Sequence, residues 1–438
     1  MPTLRHVATA VAVSSAPVLA QLAGVYTVNP VLPTAGNNFA SLADATAALA
    51  AQGVGGQVTI QIFDDAGPYT EVGTFTAASA GGTYGVPVNA TPTAVLVMTS
   101  WTGTSPTNRV VFEPGPGEHV VFDATQRSCG VFWGGADYVT LRGIEIANAA
   151  YDGISLYAET VHGIAQDPII DGCNIHHIGG PAITIYGNTP QPANTLVQNC
   201  MLWHCQTAGG GPFSTTGRFG YVTTRRTNGT RIVHNTFWVD TLYDNSSYGV
   251  IASYPSSATE VPYAEVSNNI VVKGAGPLAQ LFHINSPAGT TNPVPVLCDG
   301  NCLLDLSGGS FAVYGSPVVI APTFADWQIG AARDLASLNV NPQLRAPGGG
   351  DGHLLPTSPC RNASTVAANV TTDCDGQVRT SPADLGADEF SAADWTVLGS
   401  GCAGSGGVAP VQTLYGWPFL GNPTFAVAVT HLDRKSVV

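Results

Sequence analysis

The sequence predicts an all-β chain folded as a parallel β-helix, a solenoid of stacked coils. Five short segments share one pattern: an aliphatic residue, a polar residue, Gly or Asn, and an apolar residue two or three positions later. They begin at residues 141, 170, 197, 233 and 266, and a less clear copy covers 298–304. The spacings are irregular, at 29, 27, 36 and 33 residues, and no amphipathic helix is predicted between the copies. This combination is typical of coils that carry loops of variable length.

Stacking gives each position of the pattern a physical role. Coils lie about 4.8 Å apart, so equivalent residues form columns, and the aliphatic columns supply the core. The Gly or Asn column marks a bend, because both residues tolerate a left-handed backbone and Asn can also hydrogen-bond to the next coil. An antiparallel sandwich is the alternative, although it gives no reason for the same residue types at the same offset.

Composition restricts the partners. The 438 residues include 29 acidic and 15 basic side chains, for a net charge of −14, and only 10% are charged. The acidic balance excludes nucleic acid as an expected partner and argues against binding to anionic membranes. After the amino terminus no segment approaches the roughly 20 apolar residues of a membrane span. The 51 Gly and 31 Pro residues favour a body rich in turns and strands.

The amino terminus has the pattern of an export signal. Arg5 and His6 precede a moderately apolar run that ends in small residues at Ala20. We therefore expect a secreted or cell-surface protein, with a disordered or buried leader as the alternative.

Export would make the nine cysteines candidates for disulfides. The first expected pair is Cys360 with Cys374, and the second is Cys298 with Cys302. Nine is an odd number, so at least one thiol is left over.

Domain boundaries follow from these patterns. Residues 41–52 form a predicted helix that Ser41 caps and Gly53 ends, and residues 58–63 have the alternation of a strand. We expect a signal peptide at 1–20, an N-terminal cap with the first strands at 21–109, the β-helix at 110–345, its closing segment at 346–392, and a linker with a partial C-terminal β module at 393–438.

Several of these stretches resemble a known family. The coils VTLRGIEI, LVQNCML, RIVHNTFW and AEVSNNIVV, the helix start at 38–42, and the later HLLPTSPCRNA and DCDGQVRTSPADLGADEF are similar to secreted right-handed parallel β-helix proteins, often called pectate-lyase-like. The resemblance covers roughly residues 35–390. It implies a right-handed solenoid in which a final strand at 384–389 closes the last coil. It identifies a fold rather than an activity.

The strongest functional signal is a polar column at the eighth position of the coils. Its members are Asn148, His177, His204, Asp240 and Lys273. Stacking would place His177 and His204 about 5 Å apart, with Asp240 one coil further. Such a group could transfer protons or bind an acidic sugar. The alternative is an outward column that tolerates any polar residue. Arg225 is a further candidate base or carboxylate clamp, although no acid cluster aligns with it.

A second column and several aromatic residues suggest a groove for a glycan. The second position holds Arg142, Asp171, Gln198, His234 and Ser267 and is expected to point outward. Aromatic residues that could stack on sugar rings are Trp203, Phe237, Trp238, Tyr243 and Tyr248. Core packing is the alternative for each of them.

Cysteine and histidine recur at one spacing, Cys173-x-x-x-His177 and Cys200-x-x-x-His204. These are zinc-ligand types, but strand geometry can send them to opposite faces, and a buried cysteine ladder is the other interpretation. We predict no metal and no cofactor. The resemblance implies clustered acids for calcium in lyases and neighbouring Asp residues in hydrolases, and neither pattern occurs on the coils.

The sequence thus predicts an exported monomer that contacts polysaccharide or a cell-surface glycan. The preferred interpretation is a non-catalytic surface module, because paired carboxylates are scarce. The alternative is a lyase or hydrolase of an acidic glycan that uses His177, His204 and Asp240, with Arg225 or Lys273.

Overall fold

Aliphatic residues repeated from coil to coil wind the chain into a right-handed parallel β-helix. The computed structural model describes residues 20–75, 92–158, 163–187, 191–206, 220–240, 249–255, 260–274, 280–285, 295–367, 369–391, 411–415 and 426–430. Neighbouring coils pair in parallel throughout the body, which excludes the antiparallel sandwich. Antiparallel pairing within the coiled sheets is confined to two end strands, Gly73–Thr74 and Val319–Ala321.

Three sheets form the faces of the solenoid, and we number them I to III. Sheet I has ten strands, in spatial order Asn38–Phe39, Leu22–Val28, Val54–Ile62, Val110–Pro114, Val139–Arg142, Ile169–Asp171, Leu196–Gln198, Thr230–Val233, Tyr263–Ser267 and Leu297–Asp299. Sheet II has seven: Val121–Asp123, Glu145–Ala147, Asn174–Ile178, Met201–Cys205, Thr236–Val239, Ile270–Lys273 and Cys302–Asp305. Sheet III has ten: Gly73–Thr74, Thr93–Met98, Cys129–Gly134, Asp152–Ala158, Ile183–Gly187, Val222–Arg225, Gly249–Ser253, Gln280–Asn285, Ala312–Gly315 and Val319–Ala321.

The bend between sheets I and II follows the predicted column, with one correction. Val197 pairs with Ile232, and not with Val233, so the fourth coil was aligned one residue too late. Its cause is His234, which takes the left-handed corner at φ 52° where other coils use Gly or Asn. The other corner residues, all with φ between 55° and 67°, are Gly143, Gly172, Asn199, Asn268 and Gly300.

Coil-to-coil bonding by Asn is confirmed, one position after the bend. Asn235, Asn269 and Asn301 are completely buried. Asn235 Nδ2 donates to Asn269 Oδ1 at 3.0 Å, and Asn269 Nδ2 donates to Asn301 Oδ1 at 3.1 Å. In the two preceding coils Cys173 and Cys200 occupy this position, and their thiols lie side by side in the core. We call the three asparagines the asparagine ladder.

Helices cover parts of the core near both ends. The predicted cap is the helix Leu42–Gln52, where Ser41 accepts a hydrogen bond from Asp44 N and Gly53 ends the helix at φ 72°. A second helix, Phe324–Ala331, buries Trp327 against the far coils.

The chain then returns along the outside of the solenoid instead of adding a coil. The strands Leu344–Ala346 and Asp351–Leu354 form a hairpin. From here on, the name closing segment is used for residues 351–391 of the predicted range 346–392. The final strand expected at 384–389 is absent from these described residues. The main chain there bonds to individual corner residues, with Gly386 N on Asn268 O at 2.8 Å and Ala387 N on Thr236 Oγ1 at 3.0 Å.

Two other expectations concern the ends of the chain. The predicted signal lies outside the described residues except for Ala20, as does the linker at 393–410. Further on, Val411–Tyr415 pairs antiparallel with Ala426–Thr430. In the described part of the chain no helix has the length and apolar character needed to cross a membrane.

The predicted disulfides are not formed. All four cysteines of the two expected pairs carry thiols. Three of these cysteines have other neighbours. Cys360 lies against Cys302, and Cys298 Sγ lies 3.0 Å from the Asp334 carboxylate.

Candidate functional site

Three of the predicted site residues meet at one edge of sheet II. His177 and His204 follow equivalent strand positions and both have left-handed backbones, with φ of 53° and 47°. Their ring centroids are 4.5 Å apart. His204 Nδ1 lies 3.2 Å from Asp240 Oδ2. Together with the neighbouring His176 these residues form what we call the histidine cluster.

The register shift at the fourth coil changes the rest of the column. Val239 pairs with Lys273, so Asp240 lies one residue beyond the column and reaches back to His204. The Lys273 side chain is only 2% exposed, and its Nζ lies 3.2 Å from Asp305 Oδ1. Burial lowers the pKa of Lys273, partly offset by Asp305. Lys273 therefore stabilises a buried ion pair and is withdrawn from the surface that the histidines occupy.

Arg225 belongs to a different face. It ends the strand Val222–Arg225 of sheet III, and its guanidinium lies over the ring of Tyr186, 5.6 Å from the centroid. The structure therefore does not bring Arg225 to the histidine cluster.

Carboxylates and histidines alternate on the outer side of sheet II. Glu145 accepts from His119 Nε2 at 3.0 Å and contacts His176 Nε2 at 3.1 Å. Burial alone would raise the pKa of Glu145, but the two histidines outweigh it and lower that pKa to about 2. Burial, reinforced by the neighbouring His176 and His204, lowers the pKa of His177. His177 is thus a neutral, exposed imidazole at neutral pH.

Two of the five predicted sugar-stacking aromatics are packed within the protein. Phe237 is completely buried, and Tyr243 and Tyr248 lie outside the described residues. Trp203 stacks on His176 with centroids 4.5 Å apart. A Cβ at Gly350 would lie 2.9 Å from the indole of Trp203, so the main chain covers this ring. Core or coil packing is therefore the correct interpretation for these two aromatics.

Trp238 is the exception, because its ring is half-buried and faces an open depression of about 520 Å³. Asp240 follows two residues later, just beyond the end of the strand at Val239. Sequence reasoning missed the far wall, which comes from a stretch about 100 residues away. That wall consists of Asn341, Pro342, Gln343, Leu344, Ala346, Pro347, Gly348, Gly349 and Leu355.

The second-position column is open at one end only. Arg142 is half-exposed and bridges Glu113 and Asp171, each at 3.0 Å. Val233 takes the place predicted for His234, which lies at the corner, and Val233, His234 and Ser267 are all buried. The closing segment lies over this stretch of the column, as the bond from Asn268 Nδ2 to Val366 O shows. The outward groove expected along this column is therefore filled by the chain itself.

The repeated Cys and His spacing does not build a metal site. Cys173 and Cys200 face the core, whereas His177 is exposed and His204 is half-buried at the outer edge. Within the described residues, the groups with metal-ligand geometry lie elsewhere, in the closing segment.

Comparison with known proteins agrees with this architecture. Residues 129–292 match the family model described as a right-handed β-helix region. A search of the curated proteins found no match. Among solved structures, the chain is similar to the crystal structure of pectate lyase Pel9A, with 13% identity over 84% of this chain and 96% of that chain and a TM-score of 0.37. With identity and TM-score this low, the similarity supports no further conclusion about this chain.

Proposed function

We propose that this chain, a right-handed parallel β-helix protein, binds polysaccharide as a non-catalytic surface module. The observation that carries the proposal is the depression that the half-buried Trp238 lines. Asp240, two residues further along the chain, contacts His204. An indole face stacks on the apolar face of a sugar ring, and nearby carboxylate, imidazole and amide groups bond to hydroxyls.

The shape of the site favours a polymer. The depression is open to solvent, and its far wall offers Asn341 and Gln343. An enclosed pocket would suit a small molecule, because such sites bury most of their ligand. A repeating sugar chain can instead lie across several coils, from Trp238 to the exposed His177.

The arrangement of charge favours binding over turnover. Glycoside hydrolysis normally needs two carboxyl groups on either side of the reacting bond. Of the carboxylates near the histidine cluster, Glu145 is held by His119 and His176, and Asp240 contacts His204. Asp351, which pairs with Ala346 at the wall of the depression, is buried against Arg345 and His353. Lys273 is buried and Arg225 lies on sheet III, so neither reaches this surface.

The same proposal places the protein outside the cytoplasm as a monomer. Residues 1–20 would be removed on export, and residues 393–438 would contribute a linker and part of a C-terminal module. Mass determination of the protein from culture medium tests this, because the expected mature chain starts at Gln21. An intact amino terminus in that fraction would contradict it.

The test of binding compares two aromatic variants. Wild type is first screened on a glycan array, and the affinity for the best ligand is then measured with Trp238→Ala. Loss of one stacking contact is expected to weaken binding by about tenfold. Tyr26→Ala is the control, because Tyr26 is also half-buried but lies on sheet I, where it stacks on Phe39. Equal affinities for wild type and Trp238→Ala would overturn the proposed site.

A catalytic alternative is supported by His177. This neutral, exposed imidazole lies beside the His204 and Asp240 pair, which is the arrangement of a proton acceptor in a lyase or hydrolase of an acidic glycan. In that case His177→Ala should abolish fragment release while ligand affinity stays within about threefold. If wild type binds an acidic glycan without releasing fragments, the binding function stands and this alternative fails.

A further inference from the structure

The closing segment contains a second cluster of ligating side chains, far from the histidine cluster in sequence. His353 lies in the strand Asp351–Leu354, and its Nε2 is 2.8 Å from Asp375 Oδ2. Ligand atoms of His353, Cys374 and Asp375 all lie within 4.8 Å of one another. The same holds for Asp373, Asp375 and Asp388. Asp375, which belongs to both groups, is exposed, so the cluster is open to solvent on one side.

An independent observation shows that the cluster is incomplete as it stands. Asp388 is 2% exposed, and its Oδ2 accepts from Leu354 N at 2.8 Å. Its Oδ1 is buried without a hydrogen-bond partner and lies 4.0 Å from His353 Nε2. A buried carboxylate oxygen without a partner is strongly unfavourable, and a bound cation would supply the missing contact.

We propose that His353, Cys374, Asp375 and Asp388 bind one divalent cation of the zinc class. The four donors are one imidazole nitrogen, one sulfur and two carboxylate oxygens, which is a complete tetrahedral set. In such a site neighbouring ligand atoms lie about 3.5 Å apart. Five of the six pairs among these four residues already have ligand atoms within 4.8 Å, and Cys374 and Asp388 would have to approach each other for all four to bind one ion.

The surroundings of His353 distinguish zinc from calcium. His353 Nδ1 lies 2.7 Å from Asp351 Oδ1, the second-shell contact that orients a metal-bound imidazole through its other nitrogen. Calcium binds oxygen ligands and would have to share Asp375 with a protonated imidazole. Zinc would instead bind the Nε2 atom of His353 directly. Its binding breaks the Nε2–H and Sγ–H bonds and releases both protons to solvent, so one dication replaces two protons.

The position of the site gives the ion a structural role. It would join the strand Asp351–Leu354 to the turn at 373–377 and to Asp388 near the end of the closing segment. These three stretches are separated in sequence, and the closing segment covers the corners of several coils. Metal binding would therefore fasten the parts of this covering layer to one another.

The test uses the full-length protein, freed of metal with a chelator and titrated with Zn²⁺ against a chromophoric competitor. We expect one equivalent to bind, with a rise in the midpoint of thermal unfolding. Asp388→Asn keeps an acceptor for Leu354 N but removes the ligand charge, and should weaken Zn²⁺ binding by at least about tenfold. Asp65→Asn is the matched control, since Asp65 lies in an exposed turn and should leave Zn²⁺ affinity unchanged.

Cobalt substitution keeps the assignment testable if Asp388→Asn folds poorly. Co²⁺ bound at this site should show a thiolate charge-transfer band that Cys374→Ser abolishes. The proposal fails if wild type binds no stoichiometric Zn²⁺, if Asp388→Asn binds it as tightly as wild type, or if Ca²⁺ alone binds. None of these measurements involves a glycan, so their outcome is separate from that of the proposed function.

Discussion

The coils and the closing segment satisfy their buried polar groups in different ways. In the coils each Asn of the asparagine ladder bonds to its equivalent one coil away, as Asn235 does with Asn269. In the closing segment the partners are not equivalent residues. Arg379 Nη2 donates to Asn199 Oδ1 at 2.8 Å across 180 residues of sequence. It also donates to the carbonyls of Gly386 and Ala387.

This difference predicts which region loses more folding stability when a single residue is substituted. A ladder distributes neutral hydrogen bonds over many coils, so each member contributes a similar, modest amount. The closing segment concentrates charge in a chain where charge is scarce, and a buried charge that loses its partner is costly. We therefore expect single substitutions in the closing segment to have the larger effects.

Arg379→Met should cause the largest loss of stability. The Arg379 side chain is 2% exposed, and its removal takes away a donor to the Gly386 and Ala387 carbonyls. It also removes the cation beside the Glu389 carboxylate. The expected loss is about 3–5 kcal/mol, measured by urea unfolding. Hydrogen exchange should rise first in residues 351–391. Uniform loss of protection along the coils would contradict a distinct role for the closing segment.

Asn269→Leu should cost less, about 2–3 kcal/mol. Leu has a similar volume but removes the Asn269 Oδ1 that accepts from Asn235 N and Nδ2, and the Asn269 Nδ2 that donates to Asn301 Oδ1. Asn301→Leu is the comparison inside the same ladder, and both values from urea unfolding should be similar. A loss above that of Arg379→Met would reverse the ranking of the two regions.

The sequence was sufficient to predict the coils, because their contacts repeat. The aliphatic columns, the bend at Gly172 and Asn199, and the contact of His177 with His204 all follow from stacking at a fixed spacing. The error at His234 arose because His can also take a left-handed corner, and Asn235 beside it fitted the pattern equally well.

The closing segment and the wall of the depression were not predictable in this way. Trp238 meets Asn341, and Arg379 meets Asn199, through contacts that occur once and leave no periodic signal. Asp240 was misplaced for a related reason, since the one-residue error in the fourth coil gave it the column position that Val239 occupies. Lys273 keeps its predicted position in the column, but its side chain is buried against Asp305 of the next coil. No sequence pattern indicated a ligand role for Asp388 either, because its neighbours, residues 353–354 and 373–375, lie elsewhere in the sequence.

The pH dependence of the stability of His234→Asn tests the contact between the coils and the closing segment. Burial, reinforced by the Arg379 guanidinium, lowers the pKa of His234 from 6.5 to about 3. Between these values the unfolded chain binds a proton that the folded chain does not, so this contribution to stability is lost as pH falls from 6.5 toward 3. The slope is at most about 1.4 kcal/mol per pH unit.

Asn fits the left-handed corner, as Asn199 and Asn268 do, and does not titrate. The variant should therefore lose less stability than wild type in urea unfolding between pH 6.5 and 4. Parallel curves for the two proteins would mean that the closing segment does not keep His234 neutral.

Arg142→Met should have the smallest effect and is the control for charge itself. Arg142, like Arg379, contacts acidic or carbonyl groups from other coils, but its side chain is 50% exposed. Exposed ion pairs contribute about 0.5 kcal/mol, less at high salt, because water competes for both partners. Urea unfolding at low and high salt measures this. If Arg142→Met cost as much as Arg379→Met, charge alone would decide sensitivity, and the distinction between the coils and the buried closing segment would have no energetic basis.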